Sequence, residues 1–295
     1  MQNRTLVILG MHRSGTSLIT RWLYNCGLQV GEHLLGPGLG NDEGHFEDTD
    51  FYNLHLEILK DNNLHDSGII TGPVDHIFES RREQLKKLIA SRNASFEQWG
   101  WKDPRTCLFP DLYRNLLPDA FYLVVIRDYQ SVVISLLKRT FAELDVLYDA
   151  NKGYLSKWAW SKFTRKRRFE KFCRSKAEFF LQVWVHYNEM ILKNLQSIRP
   201  EKYLVINYAM LINEDLAVIS HLNNKWRFQL RESRFSEIYN EKMFSKHFES
   251  EHYISDKALI KKATDLYAAL NAYTPTRRDG LCNKHIDNES VTEKV

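Results

Sequence analysis

Thr5-Leu6-Val7-Ile8-Leu9-Gly10-Met11-His12-Arg13-Ser14-Gly15-Thr16-Ser17 is the stretch on which the reading of the fold turns. Its first five residues are continuously apolar or β-branched, the pattern of a strand buried on both faces of a parallel sheet. Gly10 to Gly15 then make a glycine-bounded turn. Leu18, Ile19, Trp22, Leu23 and Cys26 recur at helical spacing, and Gly27 closes that helix. Strand, glycine turn and helix in this order form the first half of a β–α–β unit.

Working outward, the same grammar repeats. Trp99-Gly100-Trp101-Lys102 reads as a short strand broken by Asp103-Pro104, because a proline holds the residue before it extended. Phe121 to Ile126 is a core strand. Asp128 is placed to cap the helix after it, with Val132, Val133, Leu136 and Leu137 on the inner face. Tyr203 to Ile206 is a further buried strand, followed by a helix through Leu222. Helices are also predicted over 48–63, 79–92, 156–198 (in two pieces) and about 256–271. Strands alternating with helices predict an α/β, P-loop-like three-layer fold with a central parallel sheet flanked by helices. A chain of 295 residues suits one such domain. Its expected extent is 1–280, with a helical, basic elaboration at about 150–198 and a polar tail at 281–295.

The composition is that of a soluble globular protein, with 43% hydrophobic and 26% charged residues. No apolar run approaches the roughly 20 residues of a membrane-spanning helix, and the opening Met1 to Arg4 has no signal-peptide pattern. Cys26, Cys107, Cys173 and Cys282 lack paired spacing. Together these lead to the expectation of a reduced, cytoplasmic protein without a cysteine metal site. The net charge is +4, but Lys157 to Lys176 alone holds nine Lys/Arg and one Glu. Subtracting that +8 leaves about −4 elsewhere, so the basic character is local.

A glycine turn between strand and helix presents backbone N–H groups, and the helix dipole with them, to an anion. Gly10 to Ser17 has the length and glycine positions of an ATP-binding loop, but Thr16 stands where such a loop has its lysine. The cation is instead Arg13, inside the turn. A second anion site is expected where Arg127 emerges from the strand ending at Ile126, since ligands of open α/β sheets gather at the carboxyl ends of strands. Ser135 lies eight residues on, about two helical turns along the next helix and on the same side as Asp128 and Ser131. An arginine and a hydroxyl can clamp a phosphate from two directions. Two separate anion sites are thus expected at this edge of the sheet. Lys102, at a strand end, is expected to point into the same cleft.

These residues resemble the sulfotransferase superfamily that uses 3'-phosphoadenosine 5'-phosphosulfate (PAPS), in its bacterial carbohydrate and protein-tyrosine branch. Arg13-Ser14-Gly15-Thr16-Ser17 is similar to that family's 5'-phosphosulfate loop, and Arg127 with Ser135 to its 3'-phosphate motif. The resemblance implies that Arg13 contacts the phosphosulfate bridge, that Gly15, Thr16 and Ser17 hold the 5'-phosphate, and that Ser14 is a further cofactor-binding residue of the loop. It implies that Arg127 and Ser135 hold the 3'-phosphate, and that Lys102, in a Lys-Asp-Pro stretch shared with that branch, stabilises the transferring sulfuryl group. No metal is implied. The chain departs from the family at Leu18, where cytosolic members carry a tryptophan that stacks on adenine.

A base is needed to take the acceptor hydroxyl's proton, and Glu43-Gly44-His45-Phe46-Glu47 offers three candidates. Bacterial members look like Gly-aromatic-Phe/Trp-Glu here, which points to Glu47. Heparan-type members place a glutamate three residues before a phenylalanine, as Glu43 precedes Phe46. Some cytosolic members use a histidine, as at His45. Asp48 is set aside as the cap of the helix that starts near Thr49.

Three readings of the basic, aromatic stretch 157–176 stand side by side. It is a solvated helix face, a surface for an anionic acceptor such as an acidic glycan, or a peripheral membrane contact reaching a lipid-linked one. No nucleic-acid motif accompanies it. Trp184, Tyr187 and Asn188 are expected in the core, while Arg277-Arg278-Asp279-Gly280 loosely resembles a basic 3'-phosphate segment of cytosolic members. The partners expected are thus a nucleotide donor and a hydroxyl acceptor, on a carbohydrate or glycolipid. A P-loop kinase with an altered loop, or a non-catalytic binder of nucleotide or glycan, are the alternatives. Magnesium-dependent ATP turnover would mark the first. Binding without turnover would mark the second.

Overall fold

The computed structural model describes residues 3–36, 44–150, 164–239 and 250–275. Glu43, residues 157–163, Arg277-Arg278 and the expected tail lie outside them. Four strands, β1 (Arg4–Leu9), β2 (Gln98–Lys102), β3 (Phe121–Val125) and β4 (Tyr203–Ile206), form one sheet in the order β2-β1-β3-β4. Every pairing is parallel.

The apolar strands of the sequence are buried on both faces because successive side chains point to opposite sides. Leu6, Ile8, Leu123, Val125, Leu204 and Ile206 pack on one face beneath α1 (Thr16–Asn25) and α7 (Tyr208–Asn224). Val7, Trp99, Trp101, Tyr122, Val124 and Val205 pack on the other. That face is covered by α2 (Thr49–Asp61), α3 (Glu79–Ser95), α4 (Pro110–Leu116), α5 (Tyr129–Ala150), α6 (Arg165–Ser197) and α8 (Lys257–Asn271). The expected three-layer α/β arrangement is the one observed.

Of the stretch 156–198, expected to be helical in two pieces, the described part is helix α6; residues 156–163 lie outside the described residues. The helix contains neither proline nor glycine, and Cys173, Ala177, Phe180, Trp184, Tyr187, Ile191 and Leu195 keep one buried stripe along it. Its first turns carry the exposed cations of the basic stretch over an apolar underside, where Phe169 and Phe172 meet Phe141 of α5. Helix α4 was not anticipated; it is short and starts on Pro110, whose ring suits a first helical position. Among the described residues no helix is long and apolar enough to cross a membrane.

Gly100 sits between the two buried tryptophans of β2. A Cβ added there would stand 2.3 Å from the Leu6 carbonyl oxygen of β1. Gly100→Ala is therefore expected to force the two strands apart at a cost of about 3 kcal/mol. Urea denaturation would read this as a lower midpoint at an unchanged slope.

Candidate active site

Because all four strands run the same way, Gly10 after β1, Asp103 after β2 and Arg127 beyond β3 emerge at one edge of the sheet. Gly10 admits no side chain: a Cβ would lie 2.6 Å from Thr16 Cγ2 and 2.9 Å from the Val125 carbonyl oxygen. The turn closes with Ser14 N–H donating to Met11 O at 3.1 Å. Arg13 has φ 66, the left-handed region that a side-chain-bearing residue seldom adopts. Gly15, at φ 87, stands at the N-cap of α1 and makes no side-chain cap hydrogen bond.

The backbone of Arg13 turns its side chain towards α5. Its Nε donates to Ser135 Oγ at 2.8 Å, and Arg127 Nη1 donates to the Arg13 carbonyl oxygen at 2.8 Å. Residues 122 apart in sequence thus meet directly. The Arg13 side chain spans the distance from the turn to Ser135 on α5. Asp128 accepts from Ser131 N–H at 2.7 Å, as its capping position implies, and Trp184 Nε1–H donates to the Arg127 carbonyl at 3.2 Å. Trp184, Tyr187 and Asn188 are buried, as expected.

Glu47 is aimed by the segment before α2. Leu35 N–H donates to Glu47 O at 2.8 Å, and Thr49 N–H to His33 O at 2.9 Å, tying the two sides of the glycine loop. Gly44 (φ 100) and Phe46 (φ 51) turn the chain between them. The Glu47 carboxylate is buried, and Lys102 Nζ donates to it at 2.6 Å and to Ser17 Oγ at 3.1 Å. Lys102 itself is 1% exposed. One ammonium therefore joins the carboxylate to the first turn of α1. Burial raises the Glu47 pKa, and the Lys102 charge only partly opposes it. His45 is driven the other way, down to about 4, by burial first and by Lys102, Arg139 and Arg13 after it. The imidazole is neutral and a weak base across ordinary pH, so Glu47 is the stronger of the two described candidates.

Asp48, next in sequence, does different work. It caps α2 through Asp50 N–H at 2.9 Å and pairs with buried Arg92 at 3.0 Å.

Glu47 and His45 line a cavity of about 370 Å³ with His12, Tyr52, Arg105 and Arg139. The sequence does not mark His12, Tyr52 or Arg139 as site residues, whereas Arg105 belongs to the same Trp99–Arg105 stretch as Lys102. Arg105 is fixed by three groups: Nη1 donates to Asp103 Oδ1 at 3.0 Å, Nε to Asp66 O at 2.9 Å, and the guanidinium lies 4.7 Å over the Tyr52 ring. Asp103 also meets His55 Nδ1 at 3.0 Å, whose Nε2 is 2.5 Å from the Tyr113 hydroxyl. Burial would raise the Asp103 pKa, but Arg105 and His55 outweigh it and hold the group well below the carboxylate range. His12 Nε2 is buried without a hydrogen-bond partner, and burial followed by the Arg105 charge keeps the ring neutral. The Pro after Asp103 and the glycines of the turn were the only local signals pointing towards Arg105 and His12.

Chemically, the edge brings together the Arg13 turn, Arg127 and Ser135, a buried Glu47 carboxylate of raised pKa paired with Lys102, and a cavity that Glu47 lines. No family model and no curated protein matches the chain. Solved structures are similar to it. A sulfotransferase domain from the curacin biosynthetic pathway shares 14% identity at a TM-score of 0.46, covering 93% of this chain and 99% of that one. A sulfotransferase domain from the Synechococcus PCC 7002 olefin synthase shares 15% at 0.44, covering 91% and 95%. Sulfotransferase STF1 from Mycobacterium tuberculosis H37Rv shares 12% at 0.46, covering 90% and 77%.

Proposed function

We propose that the chain transfers a sulfuryl group from PAPS to an acceptor hydroxyl. The observation that carries this is the direct joining of the Arg13 turn to Arg127 and Ser135, on a turn whose following residue Ser17 meets the Glu47–Lys102 pair, with Glu47 lining a cavity. The donor set fits a nucleotide with two anionic groups. One would lie at the glycine turn before α1, where Gly10 has no room for a side chain, with Arg13, Thr16 and Ser17 around it. Arg127 and Ser135 hold the other. When bound, PAPS supplies an activated sulfur and a stable leaving group.

The chain's own residues do the rest by positioning and charge, as in phosphoryl transfer. Glu47 accepts the proton of the acceptor hydroxyl as the new O–S bond forms. Lys102 and Arg13 balance the negative charge that shifts towards the departing phosphate oxygen. Arg105 and His12 shape the cavity that holds the acceptor, which we take to be a carbohydrate or lipid-linked hydroxyl.

Glu47→Gln keeps the size and hydrogen-bonding reach of the side chain but cannot take a proton. It is expected to lower turnover about 10²–10⁴-fold while leaving affinity for adenosine 3',5'-bisphosphate in place. Since the carboxylate is the active form, wild-type activity should fall as pH drops through the raised Glu47 pKa. That acid limb lies above the ordinary glutamate value of about 4.3. Labelled-sulfate transfer from PAPS to fractionated glycans and lipids, with calorimetry of the bisphosphate, tests the reading. A chain that binds no bisphosphate does not have this function.

A further inference from the structure

The opposite, amino-terminal edge of the sheet holds a second cavity, of about 240 Å³. It opens where the chain enters β3 and β4. Arg114 of α4, Tyr122 of β3, and Arg199 and Lys202 just before β4 line it, with Leu117 and Ile198 as apolar wall. Its lining contains three cations and no carboxylate. Their acidic partners stand outside the lining. Arg114 pairs with Asp111 and donates to Asn194 Oδ1 at 2.8 Å. Lys202 Nζ donates to the Asp119 carbonyl at 3.0 Å, 3.7 Å from its carboxylate, and Arg199 lies 3.4 Å from Glu201.

Independent of the charges is Tyr122. The residue is 4% exposed, and its hydroxyl is buried with no hydrogen-bond partner. Buried polar groups are ordinarily paired, so an orphan donor in a cavity wall calls for an acceptor. Burial pushes the phenol up to about 12 against the pull of Arg114, so it keeps its proton and can donate it.

We propose that this cavity is a binding site for a phosphate- or sulfate-type oxyanion, with the Tyr122 hydroxyl donating to one oxygen and Arg114 and Lys202 supplying charge. Arg199, more exposed, stands at the rim. A charge-assisted hydrogen bond from a buried phenol gives the site its preference for an oxyanion over a spherical halide. Nothing here depends on the donor proposed for the other edge.

The test titrates the full chain with inorganic phosphate and with methyl phosphate at fixed ionic strength, by calorimetry and thermal melting. Each titration is carried out in an Arg127→Ala background, to weaken anion uptake at the carboxyl edge. Tyr122→Phe removes one oxygen and leaves the ring, so the fold is retained. It is expected to weaken phosphate binding about tenfold and to abolish most of the phosphate-induced rise in melting temperature. Lys202→Gln should weaken binding several-fold by a separate route. Tighter binding of the ester would mark the site as one for the terminal group of a larger molecule. Tighter binding of the free ion would mark a small-anion site. Equal phosphate affinity with and without the Tyr122 hydroxyl, or an equal stabilisation by chloride, would overturn the proposal.

Discussion

Lys102→Met is expected to lower the unfolding free energy by about 3–5 kcal/mol at pH 8, because it leaves a buried carboxylate without its counter-charge. Lys102 is 1% exposed and its ammonium lies 2.6 Å from Glu47. Methionine fills similar space but has no donor. Burial already raises the Glu47 pKa against the opposing Lys102 charge, and removing that charge raises it further. For an acid whose folded pKa stands above its unfolded one, stability is fully present below the unfolded value, about 4.3, and is lost as pH rises through the folded value. The deficit of Lys102→Met should therefore be small near pH 4 and grow towards pH 8. Adding Glu47→Gln removes the stranded charge, so the double variant should regain most of the lost stability. Urea titrations at several pH values read both effects. A deficit that is flat with pH and unchanged in the double variant would mean that packing alone, not charge, is what Lys102 contributes.

Arg13→Ala is expected to lower sulfuryl transfer about 10³-fold, the scale of removing a cation from a charge-developing centre. Two things make Arg13 hard to replace. Its left-handed backbone sets the direction of the side chain, and its Nε reaches Ser135 on α5. Lysine keeps the charge but not the planar fork, so Arg13→Lys should recover only part of the loss. Turnover and bisphosphate calorimetry separate the roles, with a thermal melt to check the fold. Arg13→Ala is expected to bind bisphosphate more weakly as well as to turn over slowly. An Arg13→Ala chain that keeps its turnover to within tenfold would remove Arg13 from the chemistry and leave it as a strut between the turn and α5.

What could be read from the chain alone is what depends on neighbours in sequence. Continuous apolar runs marked the strands at Thr5–Leu9, Phe121–Ile126 and Tyr203–Ile206, because a strand buried on two faces needs no alternation. Glycines marked the turn before α1. Asp48 and Asp128 were legible as caps, since a cap bonds only two or three residues ahead. The spacing of Arg127 and Ser135 followed from helical geometry. Tertiary structure decided the rest: that Ser135 meets Arg13, that Glu47 has Lys102 beside it while His45 is held neutral, and that Arg105, His12, Tyr52 and Arg139 wall the cavity. Burial and opposing charge come from segments tens of residues away, and the energy of an ionisable group depends on both. No local pattern encodes either one, so Arg13, Lys102, Glu47, Arg127 and Ser135 could be nominated from the letters, while their environment and the other cavity walls came only with the fold.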